Sequence, residues 1–316
     1  LYLDLFSLPY TITVLKHKLT ILNMSLPPAT IVKTRFAPSP TGHLHLGHLY
    51  AAQVAHDLAR KLGGQYLLRF EDIDKTRTKD HYYASILDDL QFFKFQHDAP
   101  PISQIQSDRT EAYAAALAEL DLLGVTYPCF CSRKDIHREI SSLTNAPHGN
   151  HLSAQYYPGT CKKLTSSQRD ELLEQGKIPS TRIHIDKAKE LTGNLTFNDL
   201  IHGEITVDHD ILGDSVLARR DIGTSYHIAS VIDDAFQEIT HITRGDDLLE
   251  STHLHRVLQH LLNFPEPTYL HHQLILDTND ERLAKRAQSI SVKELREQGH
   301  SLDSLIEMIQ QQLKTI

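Results

Sequence analysis

Residues 35–48 read Arg35-Phe36-Ala37-Pro38-Ser39-Pro40-Thr41-Gly42-His43-Leu44-His45-Leu46-Gly47-His48, a strand passing through a proline-locked loop into the first turn of a helix. Ile31 to Phe36 is apolar and β-branched enough for a strand, and from Leu46 the apolar residues Leu49, Ala52 and Leu58 recur at helical spacing until Gly63-Gly64 stops the run. His45 and His48, three residues apart, therefore share one face of a helix N-terminus. Unpaired backbone N–H groups and the positive dipole end gather there, so a phosphate is held both by backbone and by two imidazole donors. Gly47 removes the side chain that would block its approach.

Working outward, Gln65 to Phe70 reads as a second strand close enough to the first helix to close a right-handed βαβ unit, the opening of a doubly wound parallel sheet. Glu71-Asp72-Ile73-Asp74 follows it, at the sheet edge where carboxylates point into a ligand crevice. Helices are expected from His81 to Phe93 and from Arg109 to Leu123, the second with Asp108 and Glu111 as a capping pair and Gly124 as its stop. From Tyr127 to about Gly213 the texture changes to short strands, turns and a polar stretch, Ser141 to Ser153. Apolar segments return at Val216 to Arg219, Tyr226 to Asp233 and Ile239 to Arg244, followed by a helix from Thr252 to Leu262 that Asn263-Phe264-Pro265 ends. A strand at Leu274 to Leu276, a polar loop and a helix from Leu302 to Leu313 complete the chain.

The expected fold is thus α/β: a catalytic unit in two halves, residues 30–126 and 214–265, split by an inserted module at 127–213 and followed by a short helical subdomain at 266–316. Residues 1–29 read as an upstream extension, with Met24 a plausible start. No apolar run is long enough to span a bilayer, so no membrane partner is expected. With 316 residues and a formal charge of −8, the chain is not a general electrostatic binder of long nucleic acid; RNA contact should be confined to a local patch. Arg133, Lys134, Arg138, Lys162 and Lys163 are candidates. Three cysteines are too few for a disulfide framework, and their clustering suggests a reducing compartment, the cytoplasm, and a metal.

The paired histidines and their lead-in resemble the HIGH motif of class I aminoacyl-tRNA synthetases, in the form taken by the glutamyl and glutaminyl branch. The resemblance implies ATP, with Mg2+, bound at His45, Gly47 and His48. Amino-acid activation sends an α-carboxylate against the α-phosphorus of ATP, and charge accumulates on phosphate oxygens that need donors. Glu281-Arg282-Leu283-Ala284-Lys285-Arg286 resembles the KMSKS loop, Lys285 keeping the lysine that contacts ATP. Arg282 stands where the family has lysine and Ala284 where it has serine, which bears on rate because arginine offers a planar fork in place of a compact ammonium. The catalytic set implied is His45, His48 and Lys285.

By the same resemblance, Arg35, Phe36, Ala37, Pro38, Ser39, Glu71, Tyr226 and Arg244 line a pocket for L-glutamate, cations facing the side-chain carboxylate and an anion facing the ammonium group. Arg244 lies in Thr243-Arg244-Gly245-Asp246-Asp247-Leu248-Leu249-Glu250-Ser251-Thr252, and a bidentate guanidinium selects a carboxylate over an amide. Ser230 stands where full-length glutamyl enzymes carry asparagine, a mark of a different branch.

Cys129-Phe130-Cys131 and Tyr157-Pro158-Gly159-Thr160-Cys161 offer three thiolates and a phenol to a tetrahedral Zn2+, or else three buried free thiols. The order Cys129, Cys131, Tyr157, Cys161 is similar to the zinc site of the glutamyl-Q tRNA(Asp) synthetases; Tyr156, His148 and His151 are rival fourth ligands. About thirty residues follow Lys285, where glutamyl-tRNA synthetases continue into a large anticodon-binding region. That plan implies activation of glutamate and its transfer to the queuosine base in the anticodon of tRNA(Asp), by a monomer. Two alternatives stay open: a truncated glutamyl-tRNA synthetase charging the acceptor end, and a non-catalytic tRNA-binding or regulatory paralogue.

Overall fold

A computed structural model of the chain describes residues 31–98, 105–136, 157–211, 213–275 and 290–314. Strand β1 (Lys33–Phe36), helix α1 (Leu46–Lys61) and strand β2 (Gln65–Leu68) form the βαβ unit, with β1 and β2 parallel from Lys33 opposite Gln65 to Phe36 opposite Leu68. α1 forms because Leu46, Leu49, Tyr50, Ala52, Val54, Ala55, Leu58 and Ala59 make one buried stripe. Its end uses two glycines for different reasons: Gly63 has φ +63°, and a Cβ on Gly64 would lie 2.3 Å from the Val32 carbonyl oxygen.

Helices α2 (Asp80–Phe92) and α3 (Thr110–Leu122) follow, then strand β3 (Thr126–Cys129), helices α4 (Ser166–Glu174) and α5 (Ile185–Thr192) on either side of β4 (Ser180–Ile183), the hairpin β5 (Thr196–Asp199) and β6 (Gly203–Thr206), and β7 (Val216–Ala218). Helix α6 (Tyr226–Phe236), strand β8 (His241–Gly245), helix α7 (Leu249–Leu261), strand β9 (Thr268–His272) and helices α8 (Val292–Glu297) and α9 (Leu302–Lys314) complete the order. β5, β9 and β8 run parallel, with β6 antiparallel on the edge. Thr240 joins this sheet to β1: its N–H donates to the Lys33 carbonyl at 3.1 Å, and Lys33 N–H donates to its hydroxyl at 2.8 Å. β3, β4 and β7 form a separate antiparallel sheet.

Helices cover both faces of the parallel strands, and alternate residues divide between them. Leu68 and Leu270 pack with α1, α2, α8 and α9, whereas their neighbours Leu67 and Tyr269 pack with α3, α6 and α7. The α/β expectation therefore holds, in a molecule of mixed sheets. The stretch 127–213 contributes to two sheets, β3 and β4 to the antiparallel one and β5 and β6 to the edge beside β9.

Two local expectations are corrected. The strand near the end of the sheet is Thr268–His272 and ends before Leu274 and Ile275, because buried His271 and His272 occupy ladder positions that a hydropathy pattern reads as polar; Leu276 lies outside the described residues. Asp108 and Glu111 do not cap α3: a 3-10 turn over Gln106–Arg109 feeds straight into it, with Arg109 at the N-cap and no side-chain cap bond.

Candidate active site

His45 is the N-cap of α1. Its Nδ1 accepts from the N–H of Gly47 at 3.1 Å and of His48 at 3.4 Å, while His45 N–H donates to His48 Nδ1 at 3.4 Å. This is a capping box built from two imidazoles, whose rings stack at 3.7 Å. Since both Nδ1 atoms accept, each ring carries its proton on Nε2. Burial lowers His45 to about 4, and burial together with His45 lowers His48 to about 3, so both are neutral donors at neutral pH. His45 Nε2 is buried and without a partner among the described residues. Gly47 has a packing reason, since a Cβ there would sit 3.1 Å from the His45 ring, and the N–H groups of Gly47 and His48, expected to be free for a phosphate, are taken by that ring.

The loop after β1 is fixed by β2. Arg69 N–H donates to the Phe36 carbonyl and Glu71 N–H to the Pro38 carbonyl, both at 3.0 Å, which brings Ala37, Pro38 and Ser39 beside Glu71. Phe36 itself is buried in the cluster around α1 and presents only backbone to a pocket on the other face. Arg35 and Arg244 lie on neighbouring strands and face α6 and α7 together. Arg35 donates to both oxygens of Asp234 on α6, at 2.8 and 3.2 Å, and to the Thr243 carbonyl at 3.0 Å.

Arg69, which sequence reasoning missed, donates to Asp234 at 2.7 Å, to Gln237 at 2.9 Å and to Glu71 at 3.1 Å. Burial alone would raise Asp234, yet Arg35 and Arg69 hold it below the usual carboxylate range. Glu71 goes the other way: burial raises it despite Arg69 and Arg35. A desolvated carboxylate of this kind gains most from an incoming cation.

Arg244 is 5% exposed. It donates through Nε to His271 Nε2 at 3.1 Å, through one terminal nitrogen to the Tyr226 hydroxyl at 3.3 Å and His255 Nδ1 at 3.2 Å, and through the other to the Thr252 hydroxyl. Tyr226 thereby accepts from Arg244 and keeps its own proton for a ligand. Half-buried Tyr226 and His227 border a cavity of about 560 Å³ that also touches Ile73, Arg133, Arg219 and Tyr157. Asp199, His227, His255 and His271 were also missed. With 21 histidines in the chain, no local signal separates these from the rest.

At the far side of that cavity Cys129, Cys131 and Cys161 bring their sulfurs within 4.8 Å of one another, a set able to hold a metal ion. The Tyr157 hydroxyl lies 3.4 Å from Cys129 Sγ and 3.6 Å from Cys131 Sγ, and accepts from Cys161 N–H at 2.8 Å. Arg182 stacks on the Tyr157 ring at 3.8 Å. Lys285 and the rival ligands His148, His151 and Tyr156 lie outside the described residues. Lys162 pairs with Asp186 and Asp214, so it is less free for RNA than its sequence suggests.

Residues 31–313 match the family of class I tRNA synthetases (E and Q), catalytic domain. The glutamyl-Q tRNA(Asp) synthetase of Rhodobacter capsulatus is 44% identical over 273 residues, 85% of this chain and 96% of the relative. That of Symbiobacterium thermophilum is 36% identical over 278 residues, 86% of this chain and 83% of the relative. Among solved structures, a glutamate tRNA ligase from Elizabethkingia meningosepticum in complex with its amino acid superimposes with a TM-score of 0.68 at 26% identity, covering 86% of this chain. The chain spans about half of that ligase, 54% of its length. No helix among the described residues is long and apolar enough to cross a membrane. By both the family match and these relatives, the chain belongs to the glutamyl-Q tRNA(Asp) synthetases within the class I glutamate and glutamine tRNA synthetases.

Proposed function

We propose that the protein activates L-glutamate with ATP and transfers it to the queuosine base in the anticodon of tRNA(Asp). One observation carries the glutamate half: Arg244 bonds Tyr226 on α6, and Glu71 reaches the same helix through Arg69 and Asp234, so that a cation and a hydroxyl share that helix with a partly buried carboxylate. The Arg244 charge takes the substrate's side-chain carboxylate, Tyr226 donates its proton to the same group, and Glu71 takes the ammonium. Arg35 and Arg69 fix the Asp234 and Glu71 side of the pocket, Arg35 through three of its five N–H groups. The substrate α-carboxylate then attacks the α-phosphorus of ATP, pyrophosphate leaves, and the Nε2–H groups of His45 and His48 donate to the phosphate oxygens. Mg2+ accompanies the ATP, and Lys285 neutralises the leaving pyrophosphate.

The queuosine half rests on likeness to relatives of that name along nearly their whole length. The cavity between His227 and Tyr157 gives the acceptor nucleotide a route to the activated carbonyl, with Arg133 and Arg219 on its walls. Zn2+ suits the thiol cluster. Donors around a tetrahedral zinc stand roughly 3.5–3.8 Å apart, and the Cys131–Cys161, Cys129–Tyr157 and Cys131–Tyr157 separations are 3.4, 3.4 and 3.6 Å. The four groups would hold one structural zinc per chain, pinning β3 to the turn at Cys161 in a monomeric cytoplasmic enzyme.

ATP–pyrophosphate exchange dependent on glutamate and independent of RNA tests the first half, and its absence in folded protein would remove it. Labelled glutamate offered to queuosine-containing and queuosine-lacking tRNA(Asp) tests the second. Equal labelling, or labelling abolished when the tRNA lacks its 3′-terminal adenosine, would point to acceptor-end charging.

A further inference from the structure

Three buried guanidinium groups meet near one face of the sheet, and they differ in what neutralises them. Arg35 and Arg69 share Asp234, and Arg69 also pairs with Glu71. The hydrogen-bond partners of Arg244 among the described residues are two imidazoles and two hydroxyls, and the neutral Tyr269 ring lies 5.3 Å from it. A guanidinium does not give up its proton in a protein, so each imidazole nitrogen facing Arg244 must be an acceptor.

That fixes the proton positions. His255, accepting at Nδ1, carries its proton on Nε2 and donates to His227 Nδ1 at 3.1 Å. His271, accepting at Nε2, carries its proton on Nδ1 and donates to Asp199 Oδ2 at 2.7 Å. Asp199 is locked in turn by N–H groups of Ile201 and His202 on its other oxygen, both at 2.9 Å. A ring with a bare nitrogen has no charge, so these rings aim the cation without cancelling it. Burial and the Arg244 charge push His255 well below its ordinary value in the same sense.

We propose that His255 and His271, oriented by His227 and Asp199, are positioning residues that set the preference for an acidic substrate side chain: they hold Arg244 rigidly at the pocket while leaving its charge to the ligand. This rests on the glutamate reading above. A carboxylate in place of either ring would hold the guanidinium equally well and spoil selection, because it would supply the charge partner the substrate should bring.

The test is glutamate affinity, read by calorimetry without ATP and by KM and kcat in pyrophosphate exchange, for wild type, His255→Gln, His255→Glu and Asp199→Asn. His255→Gln keeps an acceptor and a donor and should stay within about 3-fold of wild type, while His255→Glu should weaken glutamate binding and raise KM by about 10- to 100-fold with kcat changed less than about 3-fold. Asp199→Asn frees the His271 proton to face Arg244 and should raise KM in the same way, which decides the matter if His255→Glu does not fold. Unchanged affinity in His255→Glu or Asp199→Asn, equal damage in His255→Gln and His255→Glu, or a loss in kcat alone would overturn the proposal. Because calorimetry needs no catalysis, a wild type that binds glutamate but shows no exchange would count against activation only.

Discussion

A methyl group at position 47 separates folding from chemistry at the nucleotide end of the crevice. A Cβ on Gly47 lies 3.1 Å from both Nδ1 and Cε1 of His45, so the ring must give by a few tenths of an ångström. It has little room to do so, because the His48 ring stacks on it at 3.7 Å. The shift stretches the cap bonds from Gly47 and His48, now 3.1 and 3.4 Å. Losing such a cap costs about 0.5–2 kcal/mol, while replacing a helical glycine by alanine returns about 0.5–1 kcal/mol. Gly47→Ala should therefore unfold in urea within about 1 kcal/mol of wild type. The two Nε2–H donors, however, lose their aim. Glutamate-dependent pyrophosphate exchange should fall by about 10- to 100-fold, somewhat less than outright removal of one such donor costs. Wild-type exchange in a folded Gly47→Ala protein would refute the geometry, and so would an activity loss that merely tracks unfolding.

Asp234→Asn leaves buried Arg35 without a charge partner and Arg69 with only Glu71 and Gln237; urea unfolding should show a loss of about 3–5 kcal/mol, and a loss under about 1 would contradict the pairing. Stability should also fall in acid. His45 and His48 ionise near 6.5 when unfolded but near 4 and 3 when folded, so the unfolded chain takes up protons first; the stability present above about pH 6.5 is lost between there and pH 4 to 3. The double variant His45→Asn/His48→Asn should show a smaller decline between about pH 7 and about pH 5, and an identical slope would disprove the assignment. Finally, purified protein should carry about one zinc per chain by elemental analysis, and Cys161→Ser should lose it together with several degrees of melting temperature. Full zinc occupancy in that variant would exclude Cys161 as a ligand.

Much of this was legible in the sequence, and the parts that were not share a physical cause. α1 and its flanking strands were plain because one apolar stripe repeats at helical spacing and stops at two glycines with distinct duties. Arg244 and Tyr226 were found through the company they keep in their motifs, and the structure does join them. The histidines around Arg244 were not found. His255 and His271 are buried at 2% and 0% exposure, where a polar ring is tolerated only because every ring nitrogen has a partner, 11 to 72 residues away. The same burial hid β9. Nothing local says that Asp234, on α6, faces one arginine from β1 and another just after β2. The pairing of β5 with β9 is likewise a choice of partner that alternation along one strand does not encode.

That pairing limits how this architecture can be recombined. By chain order β5 sits with the cysteine-bearing stretch, yet its last residue, Asp199, steers His271 against Arg244. A chimera that exchanged residues 127–213 as a block would import a foreign strand edge for β9 and a foreign support for the Arg244 guanidinium. Workable crossovers should fall between β4 and β5, so that the cysteine-bearing part can be traded while Arg244 keeps its native scaffolding.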